Sequence, residues 1–95
     1  MKRSRLEICY DVLQSVGNGA DAPTKMVYRA NVSWVMLQDI LNVLLTSDYI
    51  ALKDSEGRRT FRLTDKGQEV LKRFESVSKD FEPIINSARK NVLLA

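Results

Sequence analysis

Residues 49–63, YIALKDSEGRRTFRL, are the part of this 95-residue chain that is most informative about its fold. Residues 49–53 and 60–63 are rich in aromatic and branched side chains and alternate in polarity, which predicts two short strands. The polar segment 54–59 between them holds one glycine and suits the tip of a β-hairpin. The stretch therefore predicts an antiparallel hairpin, and the elements on either side determine which fold it belongs to.

Two helices joined by a tight link are predicted just before the hairpin. Thr24 is expected to cap a short helix that ends near Arg29, and Ser33 a longer one that ends near Ser47. The longer helix has a continuous apolar inner face, formed by Leu37, Ile40, Leu41, Leu44 and Leu45. Its other face carries Trp34, Val35, Gln38, Asp39 and Asn42. A helix-turn-helix followed directly by a hairpin is the order of elements in a winged helix, where the hairpin is the wing.

Further helices are predicted at both ends of the chain. Ser4 and Glu7 have the spacing of a capping box, which places the start of the first helix near Ser4. Thr64 is expected to cap a last helix, in which apolar residues recur at steps of 4, 3, 4, 3 and 4. The residues of this apolar stripe are Val70, Phe74, Val77, Phe81, Ile84 and Ala88. Because a 3.5-residue repeat is typical of coiled coils, we expect the last helix to join two copies of the chain.

Pro83 leaves the course of the last helix open. Within a helix, proline removes one hydrogen bond and usually bends the axis. One alternative is a helix kinked near Pro83 that pairs with a second copy. The other is two helices, at residues 65–79 and 83–94, that fold back within one chain. The predicted division is a winged helix-turn-helix domain over residues 1–64 and a dimerisation helix over residues 65–95, in a mainly α fold of the α+β class.

Composition limits the classes of function. The chain has 15 Lys and Arg against 12 Asp and Glu, a formal net charge of +3, and 44% hydrophobic residues, as a soluble globular domain has. A single cysteine cannot form an internal disulfide, and without histidine a zinc site of the Cys/His kind is excluded. No apolar run reaches the ~18 residues of a membrane span. We therefore expect a cytoplasmic protein without metal, cofactor, small-molecule ligand or membrane partner.

Enzymatic activity is not expected either. The sequence offers no histidine, no glycine-rich phosphate loop, no clustered carboxylates and no setting that would activate its one cysteine. A domain of this length also has little room for a deep substrate pocket.

The basic residues that could meet DNA phosphates come from three separated parts of the chain. They are Lys2, Arg3 and Arg5 on an N-terminal arm, Lys25 and Arg29 on the second helix, and Arg58 and Arg59 on the wing. Residues 30–52 contain no Lys or Arg. A positive surface must therefore be assembled by the fold.

The third helix supplies the candidates for contacts to bases. Gln38 and Asn42 lie one turn apart, and amide side chains can make paired hydrogen bonds to adenine in the major groove. Ser33 and Trp34 begin the helix, where a phosphate is favoured. Asp39 opposes DNA binding unless a neighbour such as Lys25 or Arg29 pairs with it.

Each of these candidates has a structural alternative. Gln38 and Asn42 fit a merely solvated face, Trp34 fits the edge of a small core, and the wing arginines fit a role in solubility. A different function, docking on another protein, is indicated by apolar residues on the outer part of the third helix, which are Trp34, Val35 and Val43.

Three stretches carry a resemblance to a known family: KRSRLEI at residues 2–8, TKMVYRANVSW at 24–34 and LTDKGQEVL at 63–71. In them the chain resembles the small archaeal winged-helix DNA-binding proteins typified by the ten-kilodalton chromatin-associated protein of Sulfolobus. The resemblance covers nearly the whole chain. It implies that two long last helices pair in an antiparallel coiled coil, with a DNA-binding unit at each end. It also implies double-stranded DNA as the ligand, in transcription regulation or chromatin organisation at the nucleoid.

Overall fold

The computed structural model describes residues 3–94 of the chain, and the side chains of residues 3–83. Its helices and strands are α1 (Arg5–Gly17), α2 (Pro23–Ala30), α3 (Trp34–Thr46), β1 (Ile50–Ser55), β2 (Arg58–Leu63) and α4 (Asp65–Leu94). This order confirms the predicted helix-turn-helix, hairpin and long last helix. No helix in the described part of the chain is both long and apolar enough to cross a membrane.

The first helix begins with the predicted capping box. The hydroxyl of Ser4 accepts the backbone N–H of Glu7, and the Glu7 carboxylate accepts the N–H of Ser4, each at 3.1 Å. The Ser33 hydroxyl likewise accepts the N–H of Met36 at the start of α3. These hydroxyls satisfy N–H groups that have no partner within the first helical turn.

The predicted start of α2 is wrong. Ala22 is the N-cap and makes no side-chain capping bond, while Pro23 occupies the first turn and Thr24 lies inside the helix. Proline is favoured at that position because its missing N–H would be unpaired there and its fixed φ is helical.

The core forms where α1, α2, α3 and β1 meet. Its fully buried side chains include Leu13, Met26, Leu37, Ile40 and Ile50, one or more from each of these elements. The predicted inner face of α3 is therefore confirmed. Burying side chains of this size contributes roughly 1.5–3 kcal/mol each, and it fixes α3 with its opposite face directed outward.

The wing differs in length from the prediction. β1 and β2 pair up to Ser55 and Arg58, so the tip is the two residues Glu56 and Gly57 rather than the six of segment 54–59. Both have positive φ, 54° and 74°, as the central residues of a type I′ hairpin turn must. Arg58 therefore lies in strand β2 and not in a loop.

The last helix starts on the core and then leaves it. Thr64 caps it as predicted, by accepting the Gly67 N–H at 3.0 Å, and Leu71 is buried. The helix continues through Pro83 to Leu94, so the alternative of two helices folding back is wrong. At 1.5 Å per residue its 30 residues span about 45 Å. The molecule is accordingly 57 Å long and 26 by 20 Å across.

Candidate nucleic-acid interface

The outward face of α3 carries the side chains predicted for base contact. Gln38 and Asn42 are exposed, one helical turn apart. Trp34 is 51% exposed and Val35 79% exposed, so Trp34 does not complete the core. The face thus presents two amides beside two large apolar groups to the outside.

An open groove of about 520 Å³ separates this face from the wing. The residues that line it from α3 and from the hairpin include Trp34, Gln38, Asn42, Leu52, Arg59 and Phe61. The core directs the α3 face outward, and the strand register turns Leu52, Phe61 and Arg59 toward it. The groove therefore brings together predicted site residues from two separate elements, and its lining includes both apolar and polar side chains.

Asp39 lies on the same face, and its charge is compensated. The carboxylate of Asp39 accepts a hydrogen bond from the guanidinium of Arg5 on α1, at 2.6 Å. The expected partners were Lys25 and Arg29, and the structure has Arg5 in their place. Because the opposite charge is adjacent, the field of Asp39 on an approaching phosphate is largely cancelled.

The two basic residues of α2 are exposed but make local contacts. Lys25 donates to the Asp21 carboxylate at 3.1 Å, and this hydrogen bond holds the pKa of Asp21 below its ordinary value. Arg29 donates to the backbone carbonyl of Asn18, the C-cap of α1, at 2.6 Å. Both cations thus have fixed positions on the side of α2.

Arg3 has a structural role within the helix-turn-helix. Its guanidinium donates to the Asp11 carboxylate at 2.6 Å and to the carbonyl of Ala30 at 2.7 Å, and it also bonds the carbonyl of Asn31. These three acceptors come from α1, from the last residue of α2 and from the C-cap that follows it. Arg3 therefore ties the N-terminal arm to the end of α2. Lys2, the other residue predicted on this part of the arm, lies outside the described residues.

The two wing arginines point to opposite faces of the hairpin, since side chains alternate along a strand. Arg59 faces the groove, and its Nε is 3.9 Å from the carboxylate of Asp54. Arg58 shares the outer face with Lys53 and Arg62, two residues that are not among the predicted DNA contacts. None of these three forms an ion pair with any residue whose side chain is described. The alternation of residues 58–62 was the signal that could have identified this basic outer face.

The apolar stripe of α4 is partly buried near the domain and exposed beyond it. The Phe74 ring packs on Tyr10 of α1, with 5.6 Å between the ring centroids, whereas Phe81 is 53% exposed. An apolar groove of about 250 Å³ between α1 and α4 is lined by residues that include Leu6, Tyr10, Phe74 and Val77. Leu6 and Tyr10 were missed, because their contribution depends on how α1 crosses α4.

The remaining stripe residues are described to different extents. Val70 packs against the core at the start of α4. The side chains of Ile84 and Ala88 lie outside the described residues. The stripe thus begins at the core with Val70 and extends along α4 beyond the core.

Solved structures with the same fold support the architecture. The chain is similar to Sso10a-2, a DNA-binding protein from Sulfolobus solfataricus, with a TM-score of 0.76, 23% identity, and coverage of 98% of this chain and 97% of that one. It is also similar to TubR from Bacillus thuringiensis, solved bound to 24 bp of tubC, with a TM-score of 0.63, 19% identity, and coverage of 80% and 97%. Both likenesses show the fold.

A curated relative and a family model also match the chain. An uncharacterized protein of Methanocaldococcus jannaschii is 29% identical over 83 residues, which are 87% of this chain and 37% of that protein. This chain thus spans little more than a third of that relative's length. The family model for the winged helix-turn-helix matches residues 2–81. Together with the likeness to the Sulfolobus protein, this match confirms the resemblance found in the sequence motifs, and the chain belongs to the winged helix-turn-helix family.

Proposed function

We propose that this protein binds double-stranded DNA as a homodimer and acts as a transcription regulator or chromatin-organising protein. The observation that carries the proposal is the groove between α3 and the wing, where Gln38 and Asn42 stand opposite Arg59. An α-helix fits the major groove of DNA, and its exposed amides can contact base edges there. Two proteins with the same fold point the same way, since Sso10a-2 is a DNA-binding protein and TubR was solved bound to DNA.

Affinity in this proposal comes from phosphate contacts around α3. The candidate cations are Arg59 on the groove side of the wing, Lys25 and Arg29 on α2, and Arg5 beside Asp39, while Arg58 lies on the opposite face of the hairpin. Ser33 and Trp34 would approach the backbone at the start of α3, where unpaired N–H groups favour an anion. Arg3 stabilises the turn that orients α3 and contributes indirectly.

The second copy would pair through the stripe on α4. The stripe's steps of 4, 3, 4, 3 and 4 are the same in both directions. An antiparallel pair centred on Lys79 would therefore set Val70 opposite Ala88, Phe74 opposite Ile84, and Val77 opposite Phe81. Each residue of the stripe would then meet another residue of the stripe. This arrangement would place the two DNA-binding grooves at opposite ends of a rod.

A titration against random-sequence duplex DNA over a series of salt concentrations tests the proposal, with the mass of the complex recorded. We expect an affinity that falls as salt rises, since each phosphate contact releases counterions, and a mass that contains two protein chains. Absence of salt-dependent binding even in dilute buffer would overturn DNA binding. A complex with a single protein chain would overturn the dimer.

Docking on another protein is a second candidate, favoured by one observation. Val35 is 79% exposed at the outermost part of α3, next to the half-exposed Trp34. Exposed apolar groups that lie together often mark protein interfaces. Binding to a partner protein that is insensitive to moderate salt, together with no binding to duplex DNA, would favour this function.

A further inference from the structure

We propose that α3 selects A·T over G·C base pairs in the major groove. The inference rests on the proposed DNA binding and adds the kind of sequence that the helix prefers. It follows from the complete set of side chains that α3 exposes, all of which lie in the described part of the chain. These side chains are Trp34, Val35, Gln38, Asp39, Asn42, Val43 and Thr46.

The exposed face of α3 has no side chain that matches guanine. In the major groove guanine presents two acceptors, O6 and N7, which are bound most often by Arg or Lys. Residues 30–52 contain neither of these, so the whole of α3 and the strand entry after it lack the usual guanine-binding groups.

The same face does match adenine and thymine. A Gln or Asn amide has one donor and one acceptor, which pair with N7 and the N6 amino group of adenine. Gln38 and Asn42 provide two such amides at neighbouring turns. Val35, which is mostly exposed, and Trp34 offer apolar surface of the kind that packs on the C5 methyl of thymine. Both bases of an A·T pair therefore have a matching side chain on α3, an amide for adenine and an apolar group for thymine.

Asp39 is the one residue of α3 that could favour a G·C pair, because a carboxylate can accept from the N4 amino group of cytosine. Its carboxylate already accepts the 2.6 Å hydrogen bond from Arg5. Asp39 also lines the groove, but Arg5 occupies one of its carboxylate oxygens and so reduces its capacity to accept from a base.

Arg59 is the one cation that lines the groove together with α3. Because arginine can bind guanine, Arg59 could oppose a preference for A·T pairs if it reached a base. It projects from β2, on the wing side of the groove, next to Asp54. We assign it to the DNA backbone, so its removal should weaken binding to every sequence equally.

The first test compares two duplexes of equal length at one salt concentration, one made only of mixed A·T pairs and one only of G·C pairs. We expect the A·T duplex to bind at least about fivefold more tightly, the lower limit for one paired amide–adenine contact. Equal affinities that both fall with salt would overturn the inference and leave the proposed function standing. No binding to either duplex would overturn both.

The second test locates the preference. In the major groove, inosine–cytosine pairs present the same groups as G·C, whereas in the minor groove they resemble A·T because inosine lacks the N2 amino group. We expect an inosine–cytosine duplex to bind as weakly as G·C. Binding as tight as to A·T would place the readout in the minor groove and overturn the assignment to α3.

Variants assign the preference to residues. Gln38→Ala combined with Asn42→Ala should reduce the A·T preference to less than about twofold, while Gln68→Ala, an exposed amide on α4, should leave it unchanged. Arg59→Ala should weaken both duplexes by the same factor. A preference that survives in the double variant, or that disappears in Arg59→Ala, would overturn the proposal.

Discussion

The guanidinium of Arg5 on α1 lies 2.6 Å from the carboxylate of Asp39 on α3, across 34 residues of sequence. The pair converts the one acidic residue on the outer face of α3 into a locally neutral group. Exposed ion pairs contribute only about 0–1 kcal/mol to folding, so the effect of this one should be seen chiefly in binding.

The first prediction concerns this pair. Arg5→Ala leaves the Asp39 charge uncompensated beside the groove, and we expect weaker binding to duplex DNA. Asp39→Asn should tighten binding, because Arg5 then faces phosphate without a competing carboxylate. Removing Arg5 from the Asp39→Asn variant should cost more affinity than removing it from the native protein, because Arg5 then contacts phosphate with no carboxylate competing for it. A double-mutant cycle of dissociation constants at low salt measures this coupling, and strictly additive effects would contradict it.

The wing provides the second prediction. Arg59→Ala should lower the slope of log affinity against log salt by ~0.9, the value for one lost phosphate contact, because Arg59 lines the groove with Gln38 and Asn42. Arg62→Ala removes an equal charge from the opposite face of the hairpin and should leave the slope unchanged. If Arg62→Ala has the larger effect, the DNA lies on the outer face of the wing.

The third prediction tests the dimer. Phe81 is half exposed and lies beyond the domain core, so Phe81→Glu should not disturb folding of the winged helix. It would place one charge from each chain in the proposed coiled coil. Each phenylalanine that is no longer buried there also removes roughly 1.5–3 kcal/mol of stabilisation from the dimer. We expect sedimentation at micromolar concentration to change from the mass of two chains to that of one. Ser76→Glu, exposed and off the stripe, should remain dimeric.

The fourth prediction concerns the joint between the wing and α4. A Cβ added to Gly67 would lie 1.9 Å from the carbonyl oxygen of Tyr49, which accepts the N–H of Thr64 at 3.1 Å. Backbone must therefore move, and we expect Gly67→Ala to destabilise the fold by about 1–3 kcal/mol, measured by urea denaturation. Gln68→Ala, at the next and exposed position, should change stability by less than about 0.5 kcal/mol.

Local patterns of sequence predicted those parts of the fold that local physics determines. The capping box of Ser4 and Glu7 depends on residues three apart, and the buried face of α3 depends on the helical repeat alone. The sequence alone does not determine the course of α4 through Pro83, because a proline bends a helix or ends it according to what packs nearby.

The sequence predicts which residues of α3 belong to the candidate site, but not the contacts that they and their neighbours make. Gln38, Asn42 and Trp34 follow from the outward side of one helix. Three contacts depend on how distant elements cross. They are the ion pair of Arg5 with Asp39, the hydrogen bonds of Arg3 to the end of α2, and the position of Arg59 in the groove. The fit of Gly67 against Tyr49 has the same origin. The spacing of apolar residues along the sequence cannot predict such contacts, since they form only when the core has fixed the positions of the helices.

The fifth prediction is a pH dependence of stability that comes from Glu7. The backbone N–H of Ser4 and, to a smaller extent, its hydroxyl hold the pKa of Glu7 below its ordinary value. The unfolded chain therefore binds this proton more readily than the folded one, so the Glu7 contribution is present above the unfolded pKa and is lost as pH falls. Glu7→Gln keeps a capping side chain and removes the titration.

We expect the difference in unfolding free energy between the native protein and this variant to shrink from pH ~5 to pH ~3, in urea denaturation at fixed ionic strength. Asp21, whose pKa is also lowered, is common to both proteins and cancels in the difference, so a difference that does not vary with pH would show that the capping carboxylate is not coupled to folding.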